Sequence, residues 1–351
     1  MVMIQRCVII LFLTILPIVA MGQNSNPILR IMWWNLENFF DPSNDSLTAD
    51  DDYTFEGANH WTYKRFYQKK DNIYKTILSM GLDRLPIAIG VCEVENDWVL
   101  RQLCLNTPLR RFDYDYVHYD SPDRRGIDVA LLYRKSLFEV LYCKSIPVLD
   151  SIDTSFKTRD ILLVKGLIKG MDTVFLLMNH FPSKRLGYES YERRLLAAAV
   201  LSNTLDTIIQ RYSNSKIIVM GDFNDTPFDD CITKVLKVSP YKKDWETNTL
   251  INFMADIPFG KGTYKYQAVW SCIDQMMITK NLHPNYSTSI EVVNGVANIY
   301  TANFLLVPDN KFLGMKLYRT YVGPKYYGGF SDHLPIYIDI QKTNDNNIKD
   351  K

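Results

Sequence analysis

Gly221-Asp222-Phe-Asn224 and Ser331-Asp332-His333 set carboxylates, an amide and an imidazole directly against short apolar runs. These side chains can activate a water and stabilise developing negative charge. The pattern recurs along the chain. Asn35 and Glu37 follow Ile-Leu-Arg-Ile-Met-Trp-Trp, Glu93 and Glu95 follow Ile-Ala-Ile-Gly-Val-Cys, and His180 follows Val-Phe-Leu-Leu-Met-Asn. Elsewhere the order is reversed: Asp128 precedes Val-Ala-Leu-Leu-Tyr, Asp274 precedes Gln-Met-Met-Ile-Thr, and Asp332 and His333 precede Leu-Pro-Ile-Tyr-Ile. If the second set of strands runs antiparallel to the first, ends and beginnings meet on one rim. Residues two apart on a strand share a face, so Asn35 with Glu37, Glu93 with Glu95 and Asp222 with Asn224 can each present a pair. Converging carboxylates without cysteine suit a hard, oxygen-binding cation, Mg²⁺ best and Mn²⁺ next. Zinc has no His-Glu-x-x-His helix to hold it, and His60, His118 and His283 receive no role.

The elements that must position these groups alternate between short β-branched runs and helical patterns, with no internal repeat, which predicts an α/β or α+β fold. Strands are expected at 28–34, 86–92, 127–133, 173–179, 216–221, 273–279 and 334–340. The clearest helix spans 190–212, where Leu201, Leu205, Ile208, Ile209 and Tyr212 recur at helical spacing and Ser190 can cap the start; a second is expected over 64–80. Residues 41–56 hold six acids and no base and read as a solvated loop. Residues 343–351 read as a disordered tail.

Composition narrows the class. Of 351 residues, 47% are hydrophobic and 23% charged, which excludes disorder, collagen and coiled coil. The N-terminus has Arg6, an apolar run from Cys7 to Val19, and small residues Ala20 and Gly22, the pattern of a signal peptide cut after Gly22. The run is short of the roughly 20 residues a spanning helix needs. The expectation is an exported chain, periplasmic or extracellular, without a stable membrane anchor and with no protein partner implied. Lys plus Arg total 40 and Asp plus Glu 39, and only Arg6 is lost with the leader. That near-neutrality argues against a broad nucleic-acid-gripping face, though a local basic groove remains open. The cysteines at 92, 104, 143, 231 and 272 form no Cys-x-x-Cys pair. They read as small buried residues with one or two bridges at most.

Taken in order, Trp-Asn35-Leu-Glu37-Asn, Glu93-Val-Glu95-Asn, Arg125-Gly-Ile-Asp128, Asn179-His180-Phe-Pro-Ser183, Gly221-Asp222-Phe-Asn224, Asp274-Gln and Ser331-Asp332-His333 resemble the endonuclease/exonuclease/phosphatase family, the DNase I-like metal-dependent phosphoesterases, in their secreted bacterial type. The match extends over roughly residues 29–340, within a domain of 23–342. It implies a four-layer αββα sandwich, two packed mixed β-sheets flanked by helices, and hydrolysis of phosphoester bonds with Mg²⁺ or Mn²⁺. By this resemblance Asn35 and Glu93 are metal-site residues, with Asp332 close to the same ion or to a second one, and Glu37 a further ligand or just outside them. Asp222 orients and deprotonates the attacking water, Asn224 stabilises the phosphorane-like transition state, and His333 contacts the scissile phosphate. Asp274 holds that imidazole, and His180 is a second phosphate contact. Arg125 and Ser183 are substrate contacts. The implied substrate is a phosphodiester, DNA or RNA first. A phosphatase or phospholipase-C-like hydrolase of inositol phosphates or sphingomyelin is the alternative, and no exposed apolar loop is evident to favour lipid. A non-catalytic binding module ranks below both.

Several residues have competing readings. Glu95 reads as an exposed loop acid ahead of a ligand. Asp128, just after Arg124, Arg125 and Gly126, reads as a salt-bridge anchor of the arginine loop ahead of a catalytic group. Lys184, Arg185, Arg193 and Arg194 crowd a helix start, where positive charge opposes the dipole; an anionic ligand and pairing with Glu189 and Glu192 compete evenly. The Tyr-rich loop 316–330 can stack bases or pack on the body, and packing is favoured.

Overall fold

The computed structural model describes residues 27–241, 244, 250–287 and 289–343. The expected leader, and the tail beyond Thr343, lie outside the described residues.

In chain order the main elements begin with β1 (Leu29–Phe39), α1 (Tyr63–Ser79), β2 (Ala88–Val94), α2 (Asp97–Cys104), β3 (Tyr114–His118), β4 (Asp128–Arg134), β5 (Phe138–Ile146) and β6 (Ile161–Ile168). They continue with β7 (Thr173–His180), α3 (Tyr188–Arg211), β8 (Ile217–Asp222), β9 (Leu250–Asn252), β10 (Tyr264–Tyr266), β11 (Val269–Ser271) and β12 (Asp274–Thr279). The C-terminal part holds β13 (Ile290–Val292), β14 (Asn298–Ile299), β15 (Leu306–Pro308), β16 (Met315–Leu317), β17 (Tyr321–Val322), β18 (Lys325–Tyr326) and β19 (Ile336–Lys342).

Two large mixed sheets result. One has the order β13-β19-β1-β2-β4-β3, with β14 also on β19; the other runs β5-β6-β7-β8-β12-β9. The period of two along each strand builds the layers. Ile31 and Trp33 of β1 pack between the sheets with Leu176, Met178, Met220 and Met276. Their neighbours Met32 and Trp34 face outward onto Phe66, Ile73 and Ile77 of α1 and Val99 and Leu103 of α2. On the far side Leu177, Ile217 and Val219 pack on Ala198, Leu201 and Leu205 of α3. This is the expected four-layer αββα arrangement.

Strand directions bring the polar ends together. β1 and β2 run parallel while β19 and β4 run antiparallel to them. In the second sheet β7 and β8 are parallel and β12 is antiparallel to β8, with Asp274 opposite Asp222 and His180 beside Asp222. The ends of β1, β2, β7 and β8 thus meet the beginnings of β4, β12 and β19 on one rim.

Three local expectations are resolved, and the first of them is corrected. Ser190 does not cap the long helix, which starts earlier after Gly187; its Oγ instead accepts the Leu186 N–H (2.9 Å). The five described cysteines are all free thiols. Loop 316–330 packs on the body as favoured, through Trp61–Tyr321, Tyr321–Tyr326 and Tyr318–Phe330 contacts.

Gly90 of β2 faces the second sheet, with Met178 and Met220 close against it. A Cβ there would lie 2.8 Å from the Trp33 ring and 2.9 Å from Met178 Cγ. Gly90→Ala is expected to destabilise the chain by about 1–3 kcal/mol through overpacking, read as a lower urea midpoint at unchanged slope. An unchanged midpoint contradicts the tight sheet contact.

Candidate active site

Asp274 opens β12 with 0% exposure and both oxygens engaged. Trp33 Nε1 donates to Oδ1 (2.9 Å), and His333 Nδ1 lies 2.7 Å from Oδ2. The His333 backbone is fixed as well: its N–H donates to Ser331 Oγ (3.1 Å), Ser331 Oγ donates to the Asn35 carbonyl (2.7 Å), and Trp34 Nε1 donates to the His333 carbonyl (2.9 Å). Tyr264 lies against the ring at 5.1 Å. Burial lowers the proton affinity of this imidazole, but Asp274, Asp222 and Asp332 together outweigh that and raise it well above the ordinary 6.5. His333 is therefore a cation at neutral pH, with Nε2 3.7 Å from Asp222 Oδ2.

Asp222 is fully buried at the end of β8. The Asn224 N–H donates to Oδ1 (2.9 Å) and Asn35 Nδ2 to Oδ2 (3.1 Å). Burial pushes its carboxyl up to about 7, and Asp274 adds to the rise while His333 opposes it. A carboxyl balanced there can take a proton from water. His180 behaves oppositely to His333. Burial, then Arg159 and Arg125, drive its proton affinity well below 6.5, so it stays neutral, with Nε2 3.8 Å from both Glu93 Oε1 and Asp222 Oδ2.

Glu37, Asn38, Glu93 and Asn224 all have φ between 51° and 59°. Such backbone is costly for non-glycine residues and here sits where strands break into the site. It also defeats the simple two-residue pairing. Glu93 turns to the cleft, its Oε2 accepting the Asn38 N–H (2.8 Å). Glu95 turns away and is buried, accepting the Asp41 N–H at Oε2 (2.6 Å), so it is no exposed loop acid. Glu37 likewise turns from Asn35 toward loop 318–330. There Oε2 accepts the Thr320 N–H (2.7 Å) with Lys69 Nζ at 3.6 Å, and Oε1 accepts from Arg319 Nε (3.3 Å). Arg319 Nη2 also donates to Asp332 Oδ2 (2.8 Å).

Around these groups lies a cleft of about 660 Å³ whose lining includes Glu93, Arg125, His180, Ser183, Asp222, Asn224, Asp332 and His333. Asn35, Glu37 and Asp274 stand behind them, joined by the hydrogen bonds given above. The residues singled out in the sequence thus converge. Asp128 does not join them: His118 Nε2 lies 3.0 Å from Oδ2 and the Ser121 N–H donates to Oδ1. The acid that anchors the arginine loop is Asp123, bonded to the Arg125 N–H (3.0 Å) and to Arg159 Nη1 (2.9 Å). Arg159 in turn donates to the carbonyls of His180 and Phe181. Of the four bases at the helix start, Lys184 and Arg194 pair with Asp225 and Arg193 with Glu189, whereas Arg185, among the described residues, makes no ion pair and lines the cleft. Trp33, Lys69, Asp123, Arg159 and Tyr264 escaped the sequence reading. Only the buried Trp33 gave a hint, because an indole N–H inside a core needs an acceptor.

Among the described residues, two groups of side chains have metal-ligand proximity, Asp222–Asp274–His333 and His118–Asp120–Asp128. The first is a hydrogen-bonded cluster in which Trp33 and His333 occupy the Asp274 oxygens.

Residues 30–342 match the model of the Endonuclease/Exonuclease/phosphatase family. No curated protein matches. Among solved structures, the human Nocturnin catalytic domain with bound sulfate is 17% identical over 91% of this chain and 96% of its own, with TM-score 0.54. A mannosyl-6-phosphatase of Bacteroides thetaiotaomicron is 15% identical over 89% and 99%, with TM-score 0.54. D. rerio TDP2 complexed with single strand DNA product is 13% identical over 90% and 99%, with TM-score 0.52. At these identities the likeness shows the fold.

Asp274→Asn is expected to lower kcat roughly a hundred- to ten-thousand-fold and to bring the His333 proton affinity down. His333 gains stability from its raised affinity below its unfolded value of about 6.5, and loses it as pH rises through the folded value. The alkaline limb of the kcat profile should therefore move to lower pH in the variant. Imidazole NMR titration checks this; an unmoved His333 signal sinks the assignment.

Proposed function

The chain belongs to the endonuclease/exonuclease/phosphatase family and is a metal-dependent phosphoesterase; from that premise we propose that it hydrolyses phosphodiester bonds, with nucleic acid as the substrate, by in-line attack of an activated water. The observation that carries this reading is the buried Asp222, raised in proton affinity, beside a cationic His333 and a neutral His180. Asp222 takes the proton of the attacking water. His333 Nε2–H and His180 meet the phosphate oxygens. Asn224 directs one amide N–H to the Phe181 carbonyl (3.0 Å) and keeps the other for the transition state. Arg125 and Ser183 contact the flanking substrate, and Arg185, without an ion pair among the described residues, extends the positive side of the cleft toward a polyanion.

Glu93 fits a hard cation, because it keeps Oε1 toward His180 and the cleft while Asn38 holds Oε2, and Asn35 Oδ1, which accepts the Glu37 N–H (2.9 Å), has a second lone pair for the same ion. A Mg²⁺ or Mn²⁺ ion held by these residues would supply Lewis-acid polarisation of the phosphoryl group and charge stabilisation for the leaving oxygen. Glu37 and Asp332, paired with Lys69 and Arg319, complete the metal side of the site from just outside the ion. Uncatalysed phosphoester hydrolysis is slow enough that these groups together must supply something approaching ~20 kcal/mol.

One observation favours the alternative of a phosphatase or phospholipase-C-like hydrolase. Contrary to the sequence expectation, apolar side chains are exposed beside the cleft: on the β10–β11 hairpin Tyr266 is 66% and Val269 61% exposed. A binding module without activity is disfavoured because Asp222, Asn224 and His333 all line the cleft. Export through residues 1–22, to the periplasm or the medium, belongs to this proposal; none of the described helices is long and apolar enough to cross a membrane.

The wild type and Asp222→Ala are to be compared on plasmid DNA, RNA, bis-p-nitrophenyl phosphate, p-nitrophenyl phosphate, inositol phosphates and sphingomyelin, with Mg²⁺ or EDTA. Mg²⁺-dependent nicking lost in the variant and in EDTA is expected. Cleavage of monoesters or lipid alone contradicts the nuclease reading in favour of the alternative.

A further inference from the structure

Two polar side chains of α1 are buried against the segment that runs into Ser331-Asp332-His333. Lys69 is 1% exposed and Asn72 5%, and three positions apart they share one helix face. Lys69 Nζ donates to Thr320 Oγ1 and to the Phe330 carbonyl (both 2.6 Å), with Glu37 Oε2 at 3.6 Å, so all three of its donor directions are used. Asn72 Nδ2 donates to the carbonyls of Gly328 (3.0 Å) and Gly329 (2.8 Å). Gln68 Nε2 donates to Asn72 Oδ1 (2.9 Å) and fixes which end of that amide faces the segment. One helix face thus holds three consecutive carbonyls, and the next residues are Ser331, Asp332 and His333.

The held segment is one arm of a hairpin. The Phe330 N–H donates to the Tyr318 carbonyl (2.6 Å), the Gly329 N–H to the Arg319 carbonyl (3.2 Å) and the Tyr327 N–H to the Thr320 carbonyl (2.9 Å). At Gly329 the arms are in contact, since a Cβ there would lie 2.1 Å from the Tyr318 carbonyl oxygen. Lys69 joins both arms, Thr320 on the first and Phe330 on the second. The same two arms set Arg319 beside Asp332, with Nη2 2.8 Å from Oδ2. An apolar side chain at position 69 would fill the space without burying a charge; only a donor can tie the arms together.

We propose that Lys69 and Asn72 are positioning residues, a latch by which the outer helix fixes the backbone that carries Asp332 to the metal side of the site and His333 to the phosphate. Neither side chain lines the cleft, so the latch acts through the hairpin. Its effect on metal binding and turnover rests on the functional reading above; its hold on the hairpin does not.

The test compares the full-length wild type with Lys69→Met, Asn72→Leu and a control, Asp339→Asn, which breaks the Arg30–Asp339 ion pair (2.8 Å) by the other end of α1. Three quantities are read: hydrogen exchange of the Gly329 and Phe330 amides without metal, relative to the amides of β1; the Mn²⁺ Kd by electron paramagnetic resonance; and kcat and KM on bis-p-nitrophenyl phosphate. In both latch variants the two amides should exchange at least roughly ten-fold faster relative to β1, and the Mn²⁺ Kd should rise about ten- to a hundred-fold, with kcat falling more than KM changes. Asp339→Asn should lower Tm and leave the relative exchange and the Kd as in the wild type. If Lys69→Met fails to fold, Asn72→Leu, which alters no charge, decides. Folded latch variants with exchange in step with β1, or with an unchanged Mn²⁺ Kd, overturn the proposal. So does the same pair of shifts in Asp339→Asn, which would reduce the latch to general stability. A wild type that hydrolyses none of the phosphoesters, while exchange and Mn²⁺ binding respond as expected, keeps the latch and sinks the functional reading instead.

Discussion

The hydrogen-bonded unit Trp33–Asp274–His333 is the contact on which the rest of the site depends. Trp33 belongs to the first sheet, Asp274 to the second, and His333 to the chain just before β19 of the first. One buried carboxylate therefore ties the two sheets together at the rim and makes an imidazole cationic. Removing either partner leaves a charge without compensation in a dry place, which costs far more than an exposed pair would. Asp222 lies opposite Asp274 in the β8–β12 ladder and so stands beside the same unit.

Charge compensation extends outward from that centre. Lys69 of α1 is fully buried, where burial pushes its proton affinity down and that of Glu37 up, and the two meet at 3.6 Å. Lys69 Nζ also donates to Thr320 Oγ1 and the Phe330 carbonyl (both 2.6 Å). An outer helix thus fixes the segment that carries Arg319 and leads into Asp332 and His333. On the opposite flank, Arg159 links Asp123 to the carbonyls of His180 and Phe181 and adds to the burial that lowers the His180 proton affinity. Burial dominates at His180, with Arg159 and Arg125 adding to it, whereas the acids around His333 outweigh burial, and so the two imidazoles take different protonation states a few ångströms from the same carboxylate.

The rim was legible because it follows from strand ends and beginnings, which alternating β-branched sequence marks well. Strands β1, β2, β4, β7, β8, β12 and β19 lie within about two residues of expectation at most ends, and the ordered motifs pointed to the architecture. What failed was local backbone and distant pairing. Positive φ at Glu37 and Glu93 breaks the two-residue rule that assumes a regular strand. The edge strand β5 is largely exposed, and α2 spans only Asp97–Cys104, so neither offers a long periodic signal. Asp128 with His118, Glu37 with Lys69 and Asp123 with Arg159 are partners across strands or loops, and nothing in their neighbouring residues announces them.

The most direct test of the central claim is stereochemical. A chiral phosphorothioate diester is cleaved in H₂¹⁸O by the wild type, and the configuration at phosphorus is determined in the product. A water activated by Asp222 and attacking in line predicts inversion, with ¹⁸O attached to phosphorus. Net retention contradicts the account, because it requires a covalent phosphoryl intermediate and therefore a nucleophile other than water.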